Sequence, residues 1–194
     1  MGKFSEGLLN DEKILANLDI CVGQTILDAG CGNGYMAKKF SELVGKTGKI
    51  YALDPDKQSI AKLKKEVEMT NIEAFVGDIT KPTRLKAASI DLVYLSTVFH
   101  IFSESQIEEF VTEIKRILKP NARLAIVNIK KEDTPFGPPV EMRSSPDELK
   151  RKVPLIPKIL VEASEHFYMQ VFDNLRGTGK SWHFFGKATG SQPF

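Results

Sequence analysis

Leu27-Asp28-Ala29-Gly30-Cys31-Gly32-Asn33-Gly34-Tyr35 is the stretch whose reading decides the fold of this chain. Before it, Thr25–Asp28 (TILD) reads as a buried strand. After it, Tyr35–Val44 carries Met36, Ala37, Phe40 and Val44 on one side of a helix. Glycines between a buried strand and a helix turn the chain sharply and let backbone approach a ligand closely. The helix that follows offers free amides and the positive end of its dipole to an anionic group.

Working outward, short apolar runs alternate with longer amphipathic ones. Lys49–Leu53 (KIYAL), Ala74–Val76, Ile90–Leu95 (IDLVYL) and Leu124–Ile129 (LAIVNI) read as strands, the last apolar enough to be covered on both faces. Lys57–Met69 reads as a helix with Ile60, Leu63 and Val67 at helical spacing. Ser105 with Glu108 predicts a capping box for the next helix, whose apolar face is Ile107, Phe110, Val111, Ile114 and Leu118, stopped by Pro120 and Asn121. Strand and helix in alternation predict a parallel sheet with helices on both sides. Past Ile129 the chain turns polar and proline-rich over Lys130–Pro146, a long loop of the kind that serves as a lid. Phe136, Val140 and Met142 are its candidates for covering a substrate, although the segment reads equally as a surface connector; Glu141 and Arg143 could contact substrate, with a solvated loop the preferred reading. Ser145-Pro146-Asp147-Glu148 starts a short helix, and Ile159–Val161 and Phe167–Phe172 read as two last strands, a possible hairpin. The expected architecture is an α/β, doubly wound, mostly parallel seven-stranded sheet in one domain spanning 1–194, with its core at about 10–172. No role is assigned to the tail 176–194.

Composition sets outer bounds. The 194 residues are 42% hydrophobic and 27% charged, the balance of an ordinary globular chain. A net charge of +2 is too weak to indicate nucleic acid. Two cysteines, Cys21 and Cys31, supply neither a disulfide framework nor metal-ligand spacing, so no metal is expected and a reducing cytoplasm is the natural location. Glu6 and Asp11 break up the N-terminal segment, which reads as neither a signal peptide nor a membrane span.

Spacing and charge separate two uses of a glycine loop. A dinucleotide fingerprint, G-x-G-x-x-G, needs glycine where Tyr35 stands; here the third glycine comes one position early, at Gly34. Asp28 puts a carboxylate in the cradle, where it would repel a pyrophosphate and suit an amino group and a cationic sulfonium. A nicotinamide-dependent oxidoreductase, which shares the fold, is disfavoured on both counts.

The run Asp28–Gly34 resembles motif I of the class I S-adenosylmethionine-dependent methyltransferases, (Asp/Glu)-x-Gly-x-Gly-x-Gly. The resemblance extends over about residues 10 to 172 and is nearest to the small-molecule branch that holds the ubiquinone/menaquinone-biosynthesis type. It implies a Rossmann-like methyltransferase fold, S-adenosylmethionine as cofactor and S-adenosylhomocysteine as product. The implied cofactor residues are Asp28, Gly30, Gly32 and Gly34, with Tyr35 offering its amide to the methionine carboxylate. Asp54, followed by Pro55, matches the ribose-binding acid, although it also reads as a cap for the next helix. Asp78 and Ile79 match the adenine segment, and Ser96 closes strand four in the motif IV region. Leu118-Lys119-Pro120-Asn121 resembles the family's L-K-P-G-G turn, with Asn121 and Ala122 replacing both glycines.

Methyl transfer is an in-line displacement, so alignment and exclusion of water are the main tasks. His100 is the candidate general base, just past strand four at the first histidine of the branch's "L-H-H", with Ile101 replacing the second; the preferred reading is a residue that caps the loop or holds backbone around the cofactor. Cys31 reads as a small loop filler, and His166 and His183 receive no role. Ser96-Thr97-Val98-Phe99 lacks the Asn/Asp-Pro-Pro-aromatic motif of the amino-methylating nucleic-acid enzymes. The expected partner is a small-molecule acceptor, with neither nucleic acid nor membrane insertion; a non-catalytic S-adenosylmethionine-binding protein would carry the same motifs.

Overall fold

The computed structural model describes residues 7–175. Seven strands make one sheet: β1 (Thr25–Ala29), β2 (Lys49–Asp54), β3 (Ile72–Val76), β4 (Ile90–Ser96), β5 (Leu118–Ile129), β6 (Ile156–Ser164) and β7 (Phe167–Asp173). Their order is β3-β2-β1-β4-β5-β7-β6. The first five run parallel, and β7 lies antiparallel to both β5 and β6, so the last two strands are a hairpin. This is the doubly wound, mostly parallel sheet that the sequence predicts. Among the described residues no helix is long and apolar enough to cross a membrane. The tail 176–194, including His183, lies outside the described residues.

Alternation along each strand sends side chains to two cores. On one face Ile26, Tyr94 and Val127 pack with Ile14 of α1 (Asp11–Ala16), Phe40 of α2 (Tyr35–Val44), and Ile60 and Leu63 of α3 (Lys57–Glu66). On the other, Leu27, Val93, Leu95 and Ile126 pack with Phe110 and Ile114 of α4 (Glu104–Ile117) and Leu149 of α5 (Pro146–Lys152). The chain winds from β1 out to β3, then returns to place β4 on the other side of β1. At that reversal the loops after β1 and β4 part at the carboxyl ends of the strands, where doubly wound sheets bind ligands.

Several local readings shift. Helix α4 starts at Glu104: Ser103 Oγ accepts from the Gln106 amide (3.3 Å) and Gln106 Oε1 from the Ser103 amide (3.0 Å), so the box sits two residues ahead of the predicted Ser105. Asp56, not Asp54, caps α3, taking the Gln58 and Ser59 amides. Strand β5 begins at Leu118, well before the predicted Leu124, with a break in its register against β4. Asn121 sits in that break with φ of 62°, a left-handed conformation that asparagine tolerates better than most residues. The box at Ser145 and Glu148, with Pro146 in the first turn, forms as read.

One side chain gathers most of the bonds inside the segment 130–146, which Tyr168 also holds through Ser144 O (2.6 Å). Arg143, 5% exposed, donates to the carbonyls of Lys130, Glu132, Phe136 and Pro138 and to the Thr134 hydroxyl. Its donors thus serve the loop itself, inside a segment whose preferred sequence reading is a solvated loop. Phe136 stacks on Phe167 of β7 (centroids 6.1 Å) and meets His166 edge-on, while Met142 is half exposed. Arg143→Met should cost about 2–4 kcal/mol, because several carbonyls lose a charged donor together. Urea unfolding with hydrogen exchange over 130–142 measures this; a loss under about 1 kcal/mol would contradict the tether.

Candidate functional site

Gly30, Gly32 and Gly34 all have positive φ, at 75°, 52° and 77°, which non-glycine residues adopt only with strain. Space decides at two of them. A Cβ on Gly30 would lie 2.6 Å from Val98 Cγ2, and one on Gly34 would lie 2.4 Å from Leu63 Cδ1. At Gly32 no atom lies within 4 Å of that position, so the loop is open there.

The end of β2 holds this loop in place. Leu53 O accepts from the amides of Gly30 (2.7 Å) and Cys31 (3.0 Å). Asp54 Oδ2 accepts from the Gly32 amide (2.8 Å) and Oδ1 from the Asp56 amide (2.8 Å). Each carboxylate oxygen keeps a further lone pair for a ligand. The Tyr35 amide donates to Asn33 Oδ1 (3.1 Å), so it is not the free donor expected. Its hydroxyl donates to Asp11, which ties α1 to the start of α2, and Lys39 lies 3.6 Å from the same carboxylate.

Asp28 lies directly below, 3% exposed, and its Oδ2 has no hydrogen-bond partner among the described residues. Burial pushes its carboxyl up to about 7, the Ala37 amide pulls the other way, and the Asp54 charge adds to the rise. Burial, with Asp28 and Asp54 beside it, drives the Cys31 thiol far above its usual range, so it is no nucleophile.

The remaining candidates sit along the same edge. Asp78 Oδ1 accepts from the Thr80 amide and hydroxyl (2.8 Å each), closing a turn after β3. Ile79 is already covered, packed near Phe75 and Leu85. Pro55 joins Asp54 to the α3 cap. Ser96 ends β4 with its hydroxyl buried and without a hydrogen-bond partner among the described residues. Thr97 follows with φ of 57°, a rare conformation for a β-branched residue, and brings Val98 over Gly30. His100, in a 3-10 turn spanning Phe99–Ile101, has a buried Nδ1 without a partner among the described residues. Burial first, then the Arg143 charge, lowers its pKa, so the imidazole is neutral at pH 7.

One edge therefore brings together Asp28, the three glycines, Asp54, Asp78, Ser96 and His100. Sequence reading missed Thr97 and Val98, which carry no local signal. The set fits a cationic nucleoside: Asp28 offers an unpaired buried oxygen to an ammonium, and Asp54 half-exposed oxygens to hydroxyls.

Comparison with known proteins agrees. A family model described as "Methyltransferase domain" matches residues 26–121. The crystal structure of a SAM-dependent methyltransferase from Aquifex aeolicus superposes with a TM-score of 0.78 at 29% identity, over 87% of this chain and 91% of that one. An uncharacterized methyltransferase of Schizosaccharomyces pombe is 32% identical over 129 residues, 66% of this chain and 46% of that protein. A protein-L-isoaspartate O-methyltransferase of Methanococcus maripaludis is 37% identical over 82 residues, 41% of this chain and 38% of that protein. The chain thus spans less than half the length of these two curated relatives.

The Asp28 carboxyl gives a signed pH dependence. Its pKa is about 7 folded, against about 3.9 unfolded, so between those values the folded state holds a proton that the unfolded chain has released. Its contribution is complete below about pH 4 and is lost as the pH rises through about 7, up to about 4 kcal/mol in all. Asp28→Asn should remove this slope and leave the ligand-free variant more stable than wild type at pH 8. Urea titrations at pH 5 and pH 8 check it; parallel profiles for the two proteins would contradict it.

Proposed function

We propose that this protein, whose residues 26–121 match a family model described as "Methyltransferase domain", transfers the methyl group of S-adenosylmethionine to a small-molecule acceptor. One observation carries the reading: an unpaired, buried Asp28 oxygen below a G-x-G-x-G loop that Asp54 pins to the neighbouring strand. When bound, S-adenosylmethionine supplies an electrophilic methyl on a positive sulfur. Asp28 meets the ammonium, and the open backbone at Gly32 leaves room beside it. Asp54 accepts from the ribose hydroxyls while holding the loop. Asp78, backed by Ile79, borders the adenine, and Pro55 fixes the approach to α3. Ser96 faces the amino-acid end.

The chain's remaining task is to align the acceptor and keep water out. His100 stands where β4 ends, neutral, with Nδ1 unpaired, and is able to take a proton from an acceptor that must lose one. Within the family we place the protein nearest the ubiquinone/menaquinone-biosynthesis type. Support comes from the Leu118–Asn121 turn, where Asn121 adopts the left-handed backbone for which that pattern uses glycine. We further propose that the chain acts as a single domain in the cytoplasm, without nucleic acid.

S-adenosylhomocysteine should raise the melting temperature and NAD or NADP should not. A hundredfold excess over Kd is worth about 2.7 kcal/mol, a visible shift. Asp54→Asn keeps an oxygen for the Gly32 amide but should weaken S-adenosylhomocysteine about ten- to a hundredfold, since charged hydrogen bonds to the ribose are lost. A response to NAD alone, or unchanged affinity in the folded variant, would overturn these assignments.

A further inference from the structure

Tyr94 occupies the middle of β4, within the run Ile90–Leu95, and is fully buried. Its ring meets Phe40 of α2 edge-on, with centroids 5.2 Å apart. Phenylalanine would make the same contact. What tyrosine adds is a hydroxyl, and that hydroxyl is buried with no partner among the described residues. A polar group in this condition destabilises the fold that carries it.

The surroundings give the hydroxyl a use. Asp28 and Tyr94 are Cα partners across β1 and β4, and Ser96 lies two residues further along β4, so all three side chains leave the same face of the sheet. Asp28 Oδ2 and Ser96 Oγ are also buried and have no hydrogen-bond partner among the described residues. Burial pushes the Tyr94 phenol well above its usual range; a hydrogen-bonding interaction with the Ser96 hydroxyl, too poorly aligned to pair either group fully, opposes the shift, while the Asp28 and Asp11 charges add to it. Tyr94 is therefore a committed hydroxyl, next to a carboxyl group and below the glycine loop. One carboxylate and two hydroxyls complement an α-amino acid: the carboxylate receives the ammonium, and the hydroxyls donate to the ligand's own carboxylate.

Resting on the methyltransferase reading above, we propose that Tyr94 is a recognition residue for the amino-acid end of the cofactor, its hydroxyl held unpaired until that end arrives. Its chemistry distinguishes S-adenosylhomocysteine from a nucleoside thioether lacking the amino acid. The trio selects the amino-acid end, whereas Asp54 and Asp78 read the nucleoside.

Calorimetry of wild type and Tyr94→Phe with S-adenosylhomocysteine and with 5′-methylthioadenosine, which lacks the amino-acid end, tests the assignment. Tyr94→Phe should weaken S-adenosylhomocysteine about tenfold, the value of one hydrogen bond, and leave methylthioadenosine within about twofold. The ligand-free variant should melt at or above the wild-type temperature, since the unpaired hydroxyl is gone. Unchanged affinity for S-adenosylhomocysteine would overturn the proposal. So would equal losses for both ligands, because the substitution would then act through the fold. If Tyr94→Phe does not melt cooperatively, Ser96→Ala reads the same trio: a loss confined to S-adenosylhomocysteine supports the proposal and no loss overturns it. Wild-type protein that binds only methylthioadenosine would remove the amino-acid site. Wild-type protein that binds neither would remove the methyltransferase reading and this inference with it.

Discussion

The bonds from Leu53 O and the Asp54 carboxylate to the amides of Gly30, Cys31 and Gly32 tie the loop after β1 to the end of β2, and the site depends on that tie. Left-handed backbone at three glycines makes the tie possible, because each amide must turn toward β2 within a few residues. Val98 and Leu63 then close against Gly30 and Gly34, so the loop after β4 and helix α3 are placed by the same short segment. A side chain at either glycine would push one of these neighbours away. The constraint is steric first and electrostatic second: packing fixes the loop, and the fixed loop leaves Asp28 buried beneath it.

Asp28, Tyr94 and Ser96 carry three of the six buried side-chain polar atoms without a hydrogen-bond partner among the described residues; the others are on His100, Asn128 and Gln170. Other buried polar groups find partners inside the chain. Arg143 spends its donors on loop carbonyls, and buried Glu113 accepts from Thr83 and Arg116. The chain can therefore pair buried polar groups, and it leaves three unpaired on one face at the carboxyl ends of β1 and β4. Unpaired groups at the point where a doubly wound sheet reverses its winding are the mark of a ligand's place. Stability given up in the ligand-free protein reappears as affinity.

Much of this was legible from residue order, for physical reasons. Fully covered strands are continuous apolar runs, so β1, β4 and the second half of β5 stand out. A loop that requires left-handed backbone shows itself as repeated glycine. Helix α1, six residues long with one buried side chain, Ile14, leaves too little periodicity to detect. The α4 cap moved because Ser103-x-x-Gln106 and Ser105-x-x-Glu108 satisfy the same pattern, and the chain's path into the helix chooses between them. The inward turn of Arg143 depends on five loop acceptors converging in space, and a polar, proline-rich composition gives no sign of that. Thr97 was invisible for a related reason: its strained backbone is imposed by the β5 pairing of its own amide, which donates to Val127 O at 2.9 Å.

The most direct measurement is a crystal structure of the protein grown with S-adenosylhomocysteine. The account predicts the ligand across the carboxyl ends of β1, β2 and β4, with its amino group on Asp28, its ribose hydroxyls on Asp54 and its amino-acid end toward Tyr94 and Ser96. Density for the nucleoside away from the glycine loop, or a ligand lying there with its amino-acid end turned to solvent, would contradict it.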